Sequence, residues 1–187
     1  LALRDEAVKT VGILNQYNLH KQWTNRYLEP WMWHTVIITS SEWDNFFKQR
    51  ISPLAQPEIN GLAYQIKAAM DESFPVVRFG DYLHLPYIQE DEYDVLPNHL
   101  LAKVSAARCA RVSYLTHDGV RDIMKDIDLY NKLVTANPPH WSPLEHVALP
   151  WAPSKWYNLR KKAKPLGNFD TWHQLRHNPI LTRSEEH

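Results

Sequence analysis

The stretch Glu42 to Ala63, EWDNFFKQRISPLAQPEINGLA, carries the expectation for the fold. Ser40 or Ser41, just ahead of it, has the chemistry of a helix N-cap. Glu42 and Asp44 put negative charge where the first-turn N–H groups are unsatisfied. WDNFFKQR then reads as a helix that breaks before Pro53. Another helix, about Ala55 to Asp71, carries Ile59, Leu62, Ala63, Ile66 and Met70 on one face. Asn45 and Arg50 are five residues apart and so lie on neighbouring faces of the first helix. Phe46 and Phe47 anchor that helix, while Arg50 projects from its last turn as a planar fork of donors. Such a fork suits a phosphate, a carboxylate, or the two carbonyls and ring nitrogen of a uracil. An ordinary surface salt bridge, Arg50 to Glu58, is the plainer alternative.

Upstream, residues 1–17 space Leu3, Ala7, Val8, Val11, Ile13, Leu14 and Tyr17 as a helix that Asn18 ends. A short helix from about Leu19 to Leu28 stops at Pro30. Trp31 to Thr39, WMWHTVIIT, is dense in aromatic and β-branched types and predicts a strand or a buried extended run. Downstream, residues 74–97 read as a surface loop with Gly80 and the acidic run QEDEYD. Helices follow at about Asn98–Ser113 and Asp122–Ala136. Residues 137–156 are proline-rich and irregular, and the tail is basic at Arg160, Lys161, Lys162 and Lys164 before NFDTWHQLRH. The expected class is α+β, mainly helical with a small β component, in a single domain over 1–187.

Bulk composition narrows the possible partners. Lys plus Arg and Asp plus Glu both number 21, so the balanced charge gives no general attraction to nucleic acid or anionic membranes. An anionic ligand must then be caught by a few placed cations. The one cysteine, Cys109, rules out an internal disulfide framework and fits a reducing compartment. No apolar run approaches the roughly 20 residues of a membrane helix, and LALRDEAVKT has no signal-peptide core. The expected location is cytoplasmic.

Three further stretches could carry chemistry. In HKQWTNRYLEP, Arg26 sits one turn before a proline stop, where a cation also complements the helix dipole. In ARCARVSYLTHDG, Cys109 lies between Arg108 and Arg111. At helical spacing these point away from it, so a small buried residue is the better reading than a nucleophile. HWSPLEH, His140 to His146, has the wrong spacing for a helical zinc pair, and Pro143 breaks its first half. Ser142 as N-cap, Pro143 at the first position and Glu145 in the first turn would make a capped turn. A metal-dependent hydrolase built on the histidines stays open at this level.

Taken together, these stretches resemble the flavin-dependent thymidylate synthase family. E-W-x-N-F-F-x-x-R followed by A-Q-P-E-I-x-x-L-A is similar to the helix pair that closes the family's nucleotide site. N-R-Y-L-E-P matches its phosphate- or sugar-binding arginine element at Arg26. A-R-V-S matches the segment whose serine, here Ser113, lies near the flavin, and H-W-S-P-L-E-H matches H-x-S-P-x-E-H.

The resemblance implies methylation of dUMP to dTMP, with methylenetetrahydrofolate as carbon donor and NADPH reducing FAD. Arg50 would activate the uracil and Arg26 would hold the nucleotide. Asn45, His140, Ser142, Thr39 and Ser113 would contact the flavin, and Glu145 and His146 would tie their turn together. It also implies a homotetramer. The family's usual order of motifs is reversed here, so the chain looks circularly permuted. The defining R-H-R-x7-S string is absent. The nearest match is Gln174–Leu175–Arg176–His177, and the expectation is that the motif lies upstream of residue 1. A non-catalytic nucleotide-binding or assembly domain is the alternative.

Overall fold

The computed structural model describes residues 2–76, 82–112, 121–150 and 169–177. The chain divides into two compact units, residues 1–36 and residues 37–187.

In the first unit, α1 (Ala2–Gln16) ends where Asn18 takes a left-handed backbone with φ 55°, a conformation asparagine tolerates better than most residues. Helix α2 (Lys21–Thr24) is capped by His20, whose Nδ1 accepts from the Gln22 N–H at 3.3 Å. Two 3-10 turns follow, Asn25–Tyr27 and Glu29–Trp31, and Pro30 fits inside the second rather than ending the helix outright. Val11 and Thr24 are buried.

Over Trp31 to Thr39, expected as a strand or a buried extended run, no strand forms and most of the run is exposed. Residues 33–40 are irregular, Trp33 is fully exposed, and Val36 and Ile38 are more than half exposed. β-branched residues favour a pleated surface only when a neighbouring strand supplies the ladder. Among the described residues none pairs with this run.

The second unit is built around α6 (Asn98–Arg111) and α7 (Ile123–Thr135). Leu101, Ala102, Ala106 and Ala107 of α6 share a core with Tyr130 of α7, Leu85, Leu144, Val147 and Leu175. The alanines keep α6 narrow where α7 and the 3-10 turn Ser142–Glu145 pack on it. Asp122 caps α7 by accepting from the Lys125 N–H at 3.1 Å. After the 3-10 turn, β1 (Ala148–Pro150) pairs antiparallel with β2 (Trp172–Gln174), Ala148 opposite Gln174. His84 bridges to Ala148 through reciprocal backbone bonds of 2.8 and 3.2 Å. The class is therefore mainly helical with a small two-stranded sheet, α+β.

The helix pair forms as α3 (Asp44–Arg50) and α4 (Pro57–Asp71). Neither Ser40 nor Ser41 caps α3; Trp43 occupies the N-cap without a side-chain capping bond. The serines turn elsewhere: Ser40 Oγ accepts from the Glu42 N–H at 3.1 Å, and Ser41 Oγ accepts from the Asp170 N–H at 2.6 Å. Trp43 stacks on Phe47 and meets Phe46 edge-on, with centroids 5.9 and 5.7 Å away. Asn60 of α4 donates from Nδ2 to the Arg50 and Ser52 carbonyls at 2.8 and 3.3 Å. Of the apolar face expected on α4, Ala63 alone is fully buried, and Leu62 and Met70 remain nearly half exposed.

The expected surface loop over 74–97 contains structure. Helix α5 (Glu90–Tyr93) starts with a reciprocal capping box between Gln89 and Glu92. Glu92 comes from the acidic run yet is buried, because it receives Arg108 Nη1 and Nη2, each at 2.7 Å. Arg108 also donates from Nε to the fully buried Asp126 at 2.9 Å and from Nη1 to the Tyr87 carbonyl at 2.8 Å. Arg111 pairs with the other oxygen of Asp126. This network joins α5, α6 and α7.

Candidate functional site

Residues 37–43 form one wall of a groove of about 420 Å³, lined by Ile37, Ile38, Thr39, Ser40 and Trp43, with His84, Pro86 and Tyr87 opposite. The local reasons are visible in the chain. The Ser41–Asp170 bond holds the irregular segment to the approach of β2. Trp43 Nε1 donates to the Ser40 carbonyl at 3.1 Å, which sets the indole at the start of α3. His84 is fixed by its bridge to Ala148, with its ring edge-on to Trp172 at 6.4 Å. Ser105 donates to the Pro86 carbonyl at 2.7 Å and Arg108 binds the Tyr87 carbonyl, so α6 supports the far wall. The volume falls in the range of small-molecule sites, roughly 300–1,000 Å³.

Behind Thr39 runs a chain of polar side chains. Thr39 Oγ1 and His146 Nδ1 share a hydrogen bond of 3.0 Å. His146 Nε2 faces Glu145 Oε1 at 3.6 Å, and Arg176 Nη1 donates to Glu145 Oε2 at 2.8 Å. Arg176 Nε donates to Gln174 Oε1 at 2.8 Å, and Gln174 is fully buried in β2. Burial lowers the pKa of His146; Glu145 opposes that shift and Arg176 adds to it. His84 is also lowered, first by the protein packed around it and then by His146. Both imidazoles are therefore neutral at pH 7.

Among the described residues, Thr39 alone of the candidates lines the groove. Asn45 and Arg50 are exposed on α3, whose start adjoins it. Arg50 forms no ion pair with Glu58. Arg26 is exposed in the 3-10 turn Asn25–Tyr27 of the first unit. His140 and Ser142 are exposed. The His140 N–H is taken by the Leu133 carbonyl at 2.9 Å, and Trp141 rather than Ser142 holds the N-cap position of the turn. Ser113 lies outside the described residues. The His146 N–H closes the turn onto the Pro143 carbonyl at 3.4 Å, while the side chains of Glu145 and His146 reach on to Arg176 and Thr39.

Cys109 is the buried small residue expected, with burial pushing its thiol up to about 12. Among the described residues no group of three or more His, Cys, Asp or Glu side chains could hold a metal ion, and no helix is long and apolar enough to cross a membrane.

Sequence reasoning missed His84, Tyr87 and Trp43 as groove walls and Arg176 as the partner of Glu145. The HLPY string offered one signal: a histidine, prolines and an aromatic in a supposed surface loop are unusual unless something packs on them. Arg176 offered none, since its partner is 31 residues away. Compared with protein-family models, curated proteins and solved structures, the chain matches nothing in any of the three.

Proposed function

We propose that the chain serves FAD-dependent methylation of dUMP to dTMP, with methylenetetrahydrofolate as carbon donor and NADPH as reductant, in a homo-oligomer that is a tetramer. The observation that carries this reading is the Thr39–His146 hydrogen bond. It joins the segment leading into the E-W-x-N-F-F-x-x-R helix to the H-x-S-P-x-E-H turn, two of the stretches that resemble the flavin-dependent thymidylate synthases. Two family-like elements far apart in sequence meet beside one groove.

The groove fits a planar heteroaromatic ring. Trp43 and Tyr87 offer aromatic surface, Ile37 and Ile38 offer apolar surface, and Thr39 and Ser40 offer hydroxyls. FAD, when bound and reduced, supplies the hydride. The chain's own task is binding and electrostatics. Thr39 would hold the flavin at the groove, with Asn45, His140, Ser142 and Ser113 as the further contacts the resemblance implies. Arg50 would place its guanidinium against the uracil and stabilise negative charge there. The carbonyl bonds from Asn60 fix the last turn from which Arg50 projects.

The test is reconstitution with FAD, followed by dUMP, NADPH and methylenetetrahydrofolate. The expected result is a yellow protein that forms dTMP and runs as a tetramer on sizing. A colourless protein that cannot be loaded with FAD overturns the reading. The absent R-H-R-x7-S string favours a second reading, a nucleotide-binding or assembly domain without catalysis. Binding of FAD and dUMP without turnover would decide for it.

A further inference from the structure

The far wall of the groove, residues 84–87, is held in place by its main chain. The His84 N–H donates to the Ala148 carbonyl at 2.8 Å, and its carbonyl accepts from the Ala148 N–H at 3.2 Å. Leu85 is anchored in the core. Ser105 Oγ donates to the Pro86 carbonyl at 2.7 Å and Arg108 Nη1 to the Tyr87 carbonyl at 2.8 Å. Tyr87 is held with φ 64°, a left-handed backbone that a bulky residue seldom adopts. Such a conformation persists only where its surroundings over-determine it, and it gathers at ligand sites.

Most polar groups around the groove are already engaged. Thr39 shares its bond with His146, and Ser40 Oγ donates to the Glu42 carbonyl at 3.1 Å. Trp43 Nε1 donates to the Ser40 carbonyl, and Tyr87 has a further partner within the chain. His84 differs. Among the described residues nothing hydrogen-bonds to its ring, which is exposed and meets Trp172 edge-on at 6.4 Å. A neutral imidazole offers one N–H donor and one bare nitrogen acceptor. Among the described residues the lining also holds no Lys, Arg, Asp or Glu. The His84 ring is itself neutral at pH 7, since the protein around it and His146 both disfavour the imidazolium. An anion entering this groove would give up hydration and meet no counter-charge.

We propose that His84 is a ligand-binding residue: its ring hydrogen-bonds the edge of an uncharged planar heterocycle seated in the groove, and any phosphate of that ligand lies outside it. Which heterocycle it is rests on the flavin reading, under which the groove takes the isoalloxazine. The apolar walls at Ile37, Ile38 and Pro86 and the Trp43 indole suit a flat ring. A ring edge that carries both N–H and C=O groups can use either nitrogen of His84.

The experiment is side-chain nitrogen NMR of the full chain at pH 7, with riboflavin, uridine and inorganic pyrophosphate as separate probes. Riboflavin carries the isoalloxazine without a phosphate, and uridine is an uncharged ring of another kind. Riboflavin should move the His84 signal and pyrophosphate should not. His84→Phe keeps a flat ring beside Trp172 but removes both nitrogens. Affinity for the ring that binds should fall about five- to tenfold in it, the loss of one hydrogen bond. His84→Gln retains a donor and an acceptor and should recover most of that loss. Both variants keep the main-chain bonds to Ala148, so a general loosening of the wall would not separate them. If His84→Phe does not fold, the wild-type shifts decide alone. Equal affinity in wild type and His84→Phe, a His84 signal that neither ring moves, or one that pyrophosphate moves overturns the proposal. Uridine moving His84 while riboflavin does not would sink the flavin reading and leave the role of His84 standing. FAD bound with His84 unmoved would do the reverse.

Discussion

Arg108 meets Glu92 through two parallel hydrogen bonds of 2.7 Å, both partners buried, in the fork-on-carboxylate geometry that a lysine could not make. The same guanidinium reaches Asp126 through Nε. One side chain thus links the capping box of α5, the middle of the second unit and the start of α7.

Removing it should unfold the second unit more readily than any surface change. Arg108→Met leaves the buried Glu92 without its cation and Asp126 with Arg111 alone, a loss of about 3–5 kcal/mol for a broken buried pair. Urea denaturation at pH 7 measures it. Arg108 holds the Glu92 carboxyl below its usual range. The wild type therefore keeps that contribution above the unfolded value of about 4.3 and loses it as pH falls through the folded value. The penalty of Arg108→Met should accordingly shrink in acid. A penalty independent of pH would contradict the pairing.

The two groove histidines act at a higher pH. Both folded pKa values are depressed, so the unfolded chain binds protons first. Their contribution is complete above the unfolded value of about 6.5 and is lost as pH falls from there through the folded values. Thermal melts from pH 7.5 to 5 should show stability falling with pH. The double variant His84→Gln, His146→Gln should flatten that slope; an unchanged slope assigns the loss to other groups.

Cys109 should be chemically silent in the native chain. With its thiol pushed up to about 12 and its side chain buried, almost no thiolate exists at pH 8. A disulfide exchange reagent should leave it unmodified until denaturant is added. Rapid labelling of native protein would show that the site opens.

Arg50 and Asn60 make a paired prediction. Arg50→Lys should keep the fold and the bound flavin but lose dTMP formation, because an ammonium cannot reproduce the planar fork. Asn60→Ala removes the donor to the Arg50 and Ser52 carbonyls, at about 1 kcal/mol, and should lower turnover without abolishing it. Undiminished turnover in Arg50→Lys refutes its role.

The helices were legible where local signals agreed. The α3–α4 pair could be read from its prolines and apolar spacing, and the end of α1 from Asn18. What failed did so for want of a partner in view. WMWHTVIIT has the composition of a strand, but among the described residues no neighbouring strand meets it. Glu92 looked solvated within QEDEYD because its partner, Arg108, lies 16 residues on. In the site, Thr39 and the H-x-S-P-x-E-H stretch could be singled out from the sequence. Their meeting, and the roles of His84, Tyr87 and Arg176, depend on side chains brought together only by the tertiary fold. The serines at 40 and 41 show the same thing in miniature. Both suit a cap by type, and Ser41 is drawn instead to Asp170.

The wall of the groove is pinned by two ties, Thr39 to His146 across 107 positions and Ser41 to Asp170 across 129. Closing such long loops costs little extra stability, since the entropy grows only with the logarithm of length, but it delays the contact in time. On the ribosome, Ser41 emerges 129 positions ahead of Asp170 and waits for it with that tie unmade. Capacity to bind therefore waits on Asp170, and a chain cut short before β2 would carry most of the groove's residues but no finished groove.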